Sequence, residues 1–187
     1  MSLADLPDDT ANYFVKAPNN KILEFILSEK VLLVEGDAEF MLIEGMYINQ
    51  YGERLEDTSI HVISVGGTSF KRYLDLAMLL DIKTGVIRDN DGDFQARCVD
   101  NYSDYVGDKI NVFSDHDDED RTTLEKCLYQ DNEELCEELF ASGRRTLTVA
   151  EYMLSNKADA ALKILEEGIE RLQTPEYIAQ AFEWIRE

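Results

Sequence analysis

Two short apolar runs in this chain break off into carboxylates. Lys30-Val-Leu-Leu-Val34 leads into Glu35-Gly-Asp-Ala-Glu39, and Gly85-Val-Ile87 leads into Arg88-Asp-Asn-Asp-Gly-Asp93. As neighbouring strands of a parallel sheet, both runs would end on one edge, which is the edge where such sheets bind ligands. Glu35, Glu39, Asp89 and Asp91 would then crowd together, with Asp93 close by. Their mutual repulsion falls sharply if Mg²⁺ or Mn²⁺ sits between them. The pattern points to metal-dependent phosphate chemistry.

Each motif has a plainer reading. Glu35 and Glu39 can be surface acids, Glu39 favouring a helix N-terminus, and Asp89–Asp93 can be an acidic turn. A calcium loop of the helix–loop–helix kind does not fit. Its sixth position would be Phe94 where glycine is required, and its twelfth Asp100 where glutamate is. A third motif, Ser64-Val-Gly-Gly-Thr-Ser69, closes another apolar run. Ser64, Gly66 and Gly67 are candidate phosphate contacts, their backbone N–H groups facing an anion at the start of a helix. The alternative is an ordinary turn with Thr68 or Ser69 as cap. No G-x-x-x-x-G-K-[ST] run occurs, so the chain is expected to hold no ATP site.

The elements that must position these residues follow a repeating order. Strands are expected at 30–34, 60–65, 85–87 and 110–113, with helices at 20–27, 37–51 and 69–80. In the last of these, Phe70, Tyr73, Leu74, Ala77 and Met78 should face inward. Such alternation gives a parallel sheet of about four strands with right-handed crossovers. Residues 1–19, polar and holding Pro7 and Pro18, read as a linker or loose arm, and 20–120 as the core. Residues 121–187 read as a helical extension completing the domain. Within it 122–141 is one helix or two. Ser155-Asn156 caps an amphipathic helix whose buried stripe is Ala158, Ala161, Leu162, Leu165, Ile169 and Leu172. Thr174-Pro175 opens the last helix.

Bulk properties narrow the choices. The chain has 187 residues, 44% of them hydrophobic, which suits one domain with a real core. With 39 acidic and 18 basic residues its charge is −21, which opposes nucleic acid at long range unless metal or a basic partner changes the local field. Cys98, Cys127 and Cys136 lack paired metal-ligand spacing and read as reduced thiols of a cytoplasmic protein. No run approaches the roughly 20 apolar residues of a membrane span. The acidic run 115–120 reads as a solvated loop, and His61 and His116 as core or surface residues.

Val-Glu-Gly-Asp-Ala-Glu, Ile-Ser-Val-Gly-Gly-Thr-Ser-Phe and Arg-Asp-Asn-Asp-Gly-Asp, in that order, resemble the TOPRIM domain of the OLD-family (overcoming lysogenization defect) nucleases. The resemblance is strong over 30–93 and weaker on to 172. It implies a TOPRIM-like, Rossmann-like α/β fold, two divalent metals (Mg²⁺ or Mn²⁺) and phosphodiester hydrolysis in DNA. Glu35, Glu39, Asp89 and Asp91 match the family's metal-binding acids, and Glu125, in Thr123-Leu-Glu125, its downstream acid. Lys157 resembles the lysine beside the scissile phosphate, so Glu35, Glu39 and Lys157 are the implied catalytic set. The family's full-length members carry an ABC-type ATPase ahead of this domain. The resemblance therefore implies such a partner in the same polypeptide, and possible homodimerisation through it.

Other readings stay open. A topoisomerase would need a tyrosine nucleophile on a further domain, and a primase a basic nucleotide-binding face. A TOPRIM scaffold without catalysis, or a metal- or phosphate-binding module, would keep the fold alone. A phosphotransfer receiver or phosphatase would need aspartate where Glu35 stands.

Overall fold

The computed structural model describes residues 5–16, 20–67, 70–143 and 146–187. Thr68 and Ser69, the candidate caps, lie outside them. Four strands, β1 (Lys30–Val34), β2 (Ile60–Ser64), β3 (Lys83–Ile87) and β4 (Ile110–Phe113), form one parallel sheet in the order β2-β1-β3-β4. Val31 to Val34 of central β1 are wholly buried, as expected of a strand covered on both faces. The register pairs Val34 with Ser64 and with Ile87, and Ile87 with Phe113. One residue further along, the strand tips therefore carry Val65, Glu35, Arg88 and Ser114 in a row.

Each face of the sheet has its own core. On one, Leu32, Val34, Ile87 and Phe113 pack beneath α3 (Asp37–Tyr51), α5 (Leu124–Asp131), α6 (Glu133–Leu139), α7 (Val149–Ser155), α8 (Lys157–Glu167) and α9 (Glu176–Arg186). On the other, Val31, Leu33, Ile63 and Val86 pack beneath α1 (Asp8–Lys16), α2 (Asn20–Leu27) and α4 (Phe70–Leu80). Where α9 crosses β3 the two backbones need space. A Cβ on Gly85 would meet the Leu32 Cδ2 at 2.9 Å and the Trp184 ring at 3.7 Å.

The expected strands and helices are present with small shifts at their ends, and 122–141 resolves into two helices. Three expectations change. Residues 8–16 form a helix where a loose arm was expected. Phe14 is buried edge-on against Tyr73, and Thr10 donates to the Asp75 carboxylate at 2.6 Å, so a mostly polar segment still has one docking face. Met78 points to solvent and Leu76 is buried in its stead, while Phe70, Tyr73, Leu74 and Ala77 face inward as expected. The buried face of α8 is Ala160, Ala161 and Ile164, while Leu162 is 44% exposed and Ala158 is also exposed. Of the expected stripe, Ala161 and Leu172 are buried and Leu165 and Ile169 pack against the core, so Ala158 and Leu162 alone depart from it. The helix ends at Glu167 and a 3₁₀ turn follows.

The corrected face predicts a contrast. Ile164→Ala should lose about 2–5 kcal/mol, since it hollows the core between α3 and α8, whereas Leu162→Ala should stay within about 0.5 kcal/mol. Urea denaturation measures both, and equal losses would restore the original stripe.

Candidate functional site

Glu35 is the first residue beyond β1, and its backbone carbonyl is the anchor of the neighbouring turn. The N–H groups of Gly66 and Gly67 both donate to it, at 3.1 and 3.0 Å. The two glycines stand at φ +70° and +102°, a region that side chains disfavour. This corrects the expectation that these N–H groups face an anion, because they are already spent in fixing Glu35. Ser64 is buried and its carbonyl accepts from the Lys21 ammonium at 2.7 Å, so its backbone is likewise engaged in structure.

Around Glu35 the acids converge from three further elements. Glu39 lies in the first turn of α3, where its Oε2 accepts the backbone N–H of Gly36, the residue before the helix, at 3.2 Å. Asp89 lies two residues past β3, and its Oδ1 accepts the Leu124 N–H at 2.8 Å, at the positive end of α5. Glu125 follows on α5, and all three acids are buried. Lys157, opening α8, reaches in with Nζ 2.8 Å from Glu125 Oε2 and 3.8 Å from Asp89 Oδ2. Glu35, Glu39, Asp89, Gly67 and Lys157 share one open pocket of about 340 Å³.

Buried acids that face one another resist ionisation. Burial, then the Glu39 charge, raises the Asp89 pKa to about 7 against the pull of Lys157. Burial, aided by Glu125 and Glu35, also raises that of Glu39. Burial works against the Lys157 charge, but Glu125, Asp89 and Glu39 outweigh it and hold its pKa above the ordinary lysine value.

Asp91 and Asp93 are not brought into this pocket. The Asp91 backbone is left-handed at φ +53°, and its Oδ2 lies 3.2 Å from the Arg88 guanidinium and 4.0 Å from that of Arg97. Asp93 instead accepts the Ala96 N–H at 3.0 Å and starts the helical turn over Gln95–Val99. Sequence reasoning passed over Arg88, a buried cation that holds Asp91 away from the other acids. Its signal was a lone arginine directly before the aspartates. Asn90 was also missed. Its side-chain amide donates to the carbonyls of Asp115 and Asp117 at 2.9 and 2.8 Å, and it ties the acidic loop to the β3 tip.

Among the described residues no three His, Cys, Asp or Glu side chains already stand at the spacing of a metal site. The donor chemistry nevertheless fits a hard divalent cation. Glu35 Oε2 is buried with no hydrogen-bond partner, and the pocket offers only carboxylate oxygens as side-chain acceptors. Glu125 Oε2 also lacks a well-angled hydrogen bond, although the Lys157 ammonium is close by. Glu35, Glu39, Asp89 and Glu125 are therefore the residues that could hold metal. The three cysteines are buried free thiols remote in character from such a site.

Four parallel strands in this order, flanked by helices, make an α/β fold that carries acids at the tips of β1 and β3 on one edge of the sheet. Residues 26–91 match the family model described as the overcoming lysogenization defect protein-like TOPRIM domain. The match includes Glu35, Glu39, Asp89 and Asp91, while Glu125 and Lys157 lie beyond it. The fold is similar to that of the C-terminal region of the Xanthomonas campestris pv. campestris OLD protein, at 23% identity and a TM-score of 0.62, covering 86% of this chain and 95% of that one. It is also similar to the C-terminal region of the Burkholderia pseudomallei OLD protein, at 21% identity and a TM-score of 0.61, covering 86% and 98%. No protein of curated function matches the chain. Among the described residues no helix is long and apolar enough to cross a membrane.

The Asp89 environment sets a pH dependence. Its folded pKa of about 7 lies above the ordinary 3.8, so its contribution is full below about pH 4 and is lost as pH rises through 7. In chelator, Asp89→Asn should therefore be more stable than the parent by on the order of 1–3 kcal/mol at pH 8, with the advantage gone at pH 4. Thermal melts across that range measure it. A pH-independent difference would mean that Lys157 already balances the charge.

Proposed function

We propose that this chain is a divalent-metal-dependent nuclease domain that cleaves DNA by hydrolysis. The observation that carries the reading is the meeting of Glu35, Glu39, Asp89 and Glu125 in and beside one pocket with Lys157. Mg²⁺ or Mn²⁺ held by these acids, two ions by the resemblance, would supply Lewis acidity and neutralise phosphate charge. The protein's own groups account for the remainder. Glu39, whose Oε2 is committed to the Gly36 N–H, keeps Oε1 to take a proton from the attacking water. Lys157 Nζ donates to the non-bridging phosphate oxygens as negative charge grows there. Attack forms a new P–O bond and breaks the bond to the 3′ oxygen, which leaves as an alkoxide and takes a proton from solvent water, while Glu39 returns its proton to solvent. The ABC-type ATPase of the same polypeptide, and pairing of two copies through it, complete this reading.

A second reading, a TOPRIM scaffold that binds metal or phosphate without catalysis, has one observation in its favour. Asp91 is held by Arg88 and Arg97 instead of facing the other acids.

Supercoiled plasmid with Mg²⁺ or Mn²⁺ separates the two. The parent should nick the plasmid, Asp89→Ala should abolish nicking, and Lys157→Ala should slow it by roughly 10²–10³-fold. Nicking that survives Asp89→Ala would sink the assignment. No nicking together with no Mn²⁺ heat in titration calorimetry would favour the scaffold.

A further inference from the structure

Asp89 and Asp91 are separated by Asn90, a polar side chain only 1% exposed. A buried amide is tolerated when each of its polar atoms finds a partner, and these do. Nδ2 donates to the Asp115 carbonyl at 2.9 Å and the Asp117 carbonyl at 2.8 Å, while Oδ1 accepts the Gly92 N–H at 2.8 Å. The reversed amide would set its oxygen against two carbonyls and its nitrogen against a donor. Asparagine alone combines two donors and an acceptor on so short a stem.

The segment it holds is the acidic run 115–120, several of whose carboxylates serve the loop itself. Asp115 pairs with Arg121 at 2.7 Å, and Asp117 accepts the N–H groups of Glu119 and Asp120 at 2.8 and 2.9 Å. Asp118 accepts the Phe94 N–H at 2.6 Å, and His116 stacks on the Phe94 ring at 4.0 Å. The run is thus a folded strap, and it leads straight into α5. Arg121 carries the connection to the far end of that helix, where it grips both Asp131 oxygens at 2.8 and 2.9 Å. At the near end the Leu124 N–H meets the Asp89 carboxylate, and the Asp91 N–H meets the Thr122 carbonyl at 3.2 Å. Glu125 rides on this laced helix.

We propose that Asn90 is a positioning residue for the metal-binding acids: by fixing the strap it sets Glu125 of α5 against Asp89 of the β3 tip. The proposal rests on the metal-binding part of the nuclease reading. Asn90 does not line the pocket of Glu35, Glu39 and Asp89, so it acts through the backbone that it holds. Groups that orient ligands from behind in this way are worth roughly 10–100-fold in metal affinity.

Mn²⁺ titration calorimetry of the whole chain, without DNA, tests this. Asn90→Ala should weaken binding roughly 10–100-fold, and Asn90→Ser, which keeps one donor, should fall between it and the parent. The serine variant carries the test if the alanine variant melts early. Asn90→Asp is the sharpest variant. It adds negative charge next to Asp89, which by itself would tighten Mn²⁺ binding, yet it turns an oxygen toward the Asp115 and Asp117 carbonyls. Lost positioning predicts weaker binding. Phe14→Ala removes a buried ring from the opposite face of the sheet and controls for lost stability; its Mn²⁺ affinity should match the parent's.

Plasmid nicking supplies a second readout. The Mn²⁺ concentration giving half-maximal rate should rise in the Asn90 variants, while the rate at saturating Mn²⁺ stays near that of the parent. Loss of rate at every Mn²⁺ concentration with an unchanged midpoint would mean mere partial unfolding and would overturn the proposal. Unchanged or tighter Mn²⁺ binding by the Asn90 variants would overturn it too, as would equal weakening by Phe14→Ala or no Mn²⁺ binding by the parent. A parent that binds Mn²⁺ but leaves the plasmid intact counts against the nuclease reading alone, and calorimetry of the Asn90 variants still decides this one.

Discussion

The molecule is organised around buried negative charge at the carboxyl edge of its sheet. Glu39, Asp89 and Glu125 are withdrawn from water within reach of one another, an arrangement that is unfavourable unless a cation intervenes. Lys157 is that cation in the protein itself. Its place at the start of α8 opposes the helix dipole, so the helix gains nothing from it. The interaction that compensates lies across the pocket. The packing of α8 on α3 and of α5 on α7 thus sets the distance between the acids and their partner.

The sheet converts sequence order into two chemically different faces. Strand alternation sends Ile87 and Asp89 to one side and Val86 and Arg88 to the other. On the first side helices from the second half of the chain bring Glu125 and Lys157. On the other, α1, α4 and the turns after β3 bring Lys71, Arg72 and Arg97. There Asp91 pairs Arg88 and Arg97, and Asp9 and Asp75 line the same cavity.

The fold was largely legible in the sequence because β1 and β3 are continuous apolar runs with abrupt ends. Glu35, Glu39 and Asp89 were legible for the same reason, since strand ends fix which residues meet. Glu125 and Lys157 came from the family resemblance, as nothing in the local pattern of α5 or α8 reveals a contact 32 residues apart. Asp91 and the Gly66–Gly67 turn were placed wrongly because motif reading assigns each group to a ligand. It does not see Arg88, which takes one, or the Glu35 carbonyl, which takes the other two. In the stripe of α8, Ala158 and Leu162 were misjudged because the helix turns Ala160, Ala161 and Ile164 to the core instead.

Glu39 belongs at once to the N-terminal turn of α3, where it accepts the Gly36 N–H, and to the acidic pocket. Its carboxylate reaches the pocket only while the first turn of that helix is wound. Any fraying of this turn removes one acid and loosens the Gly36 joint next to another. The pocket is thus assembled by the same local transition that begins the helix, and its integrity reports on the helix end as directly as hydrogen exchange of those first amides would.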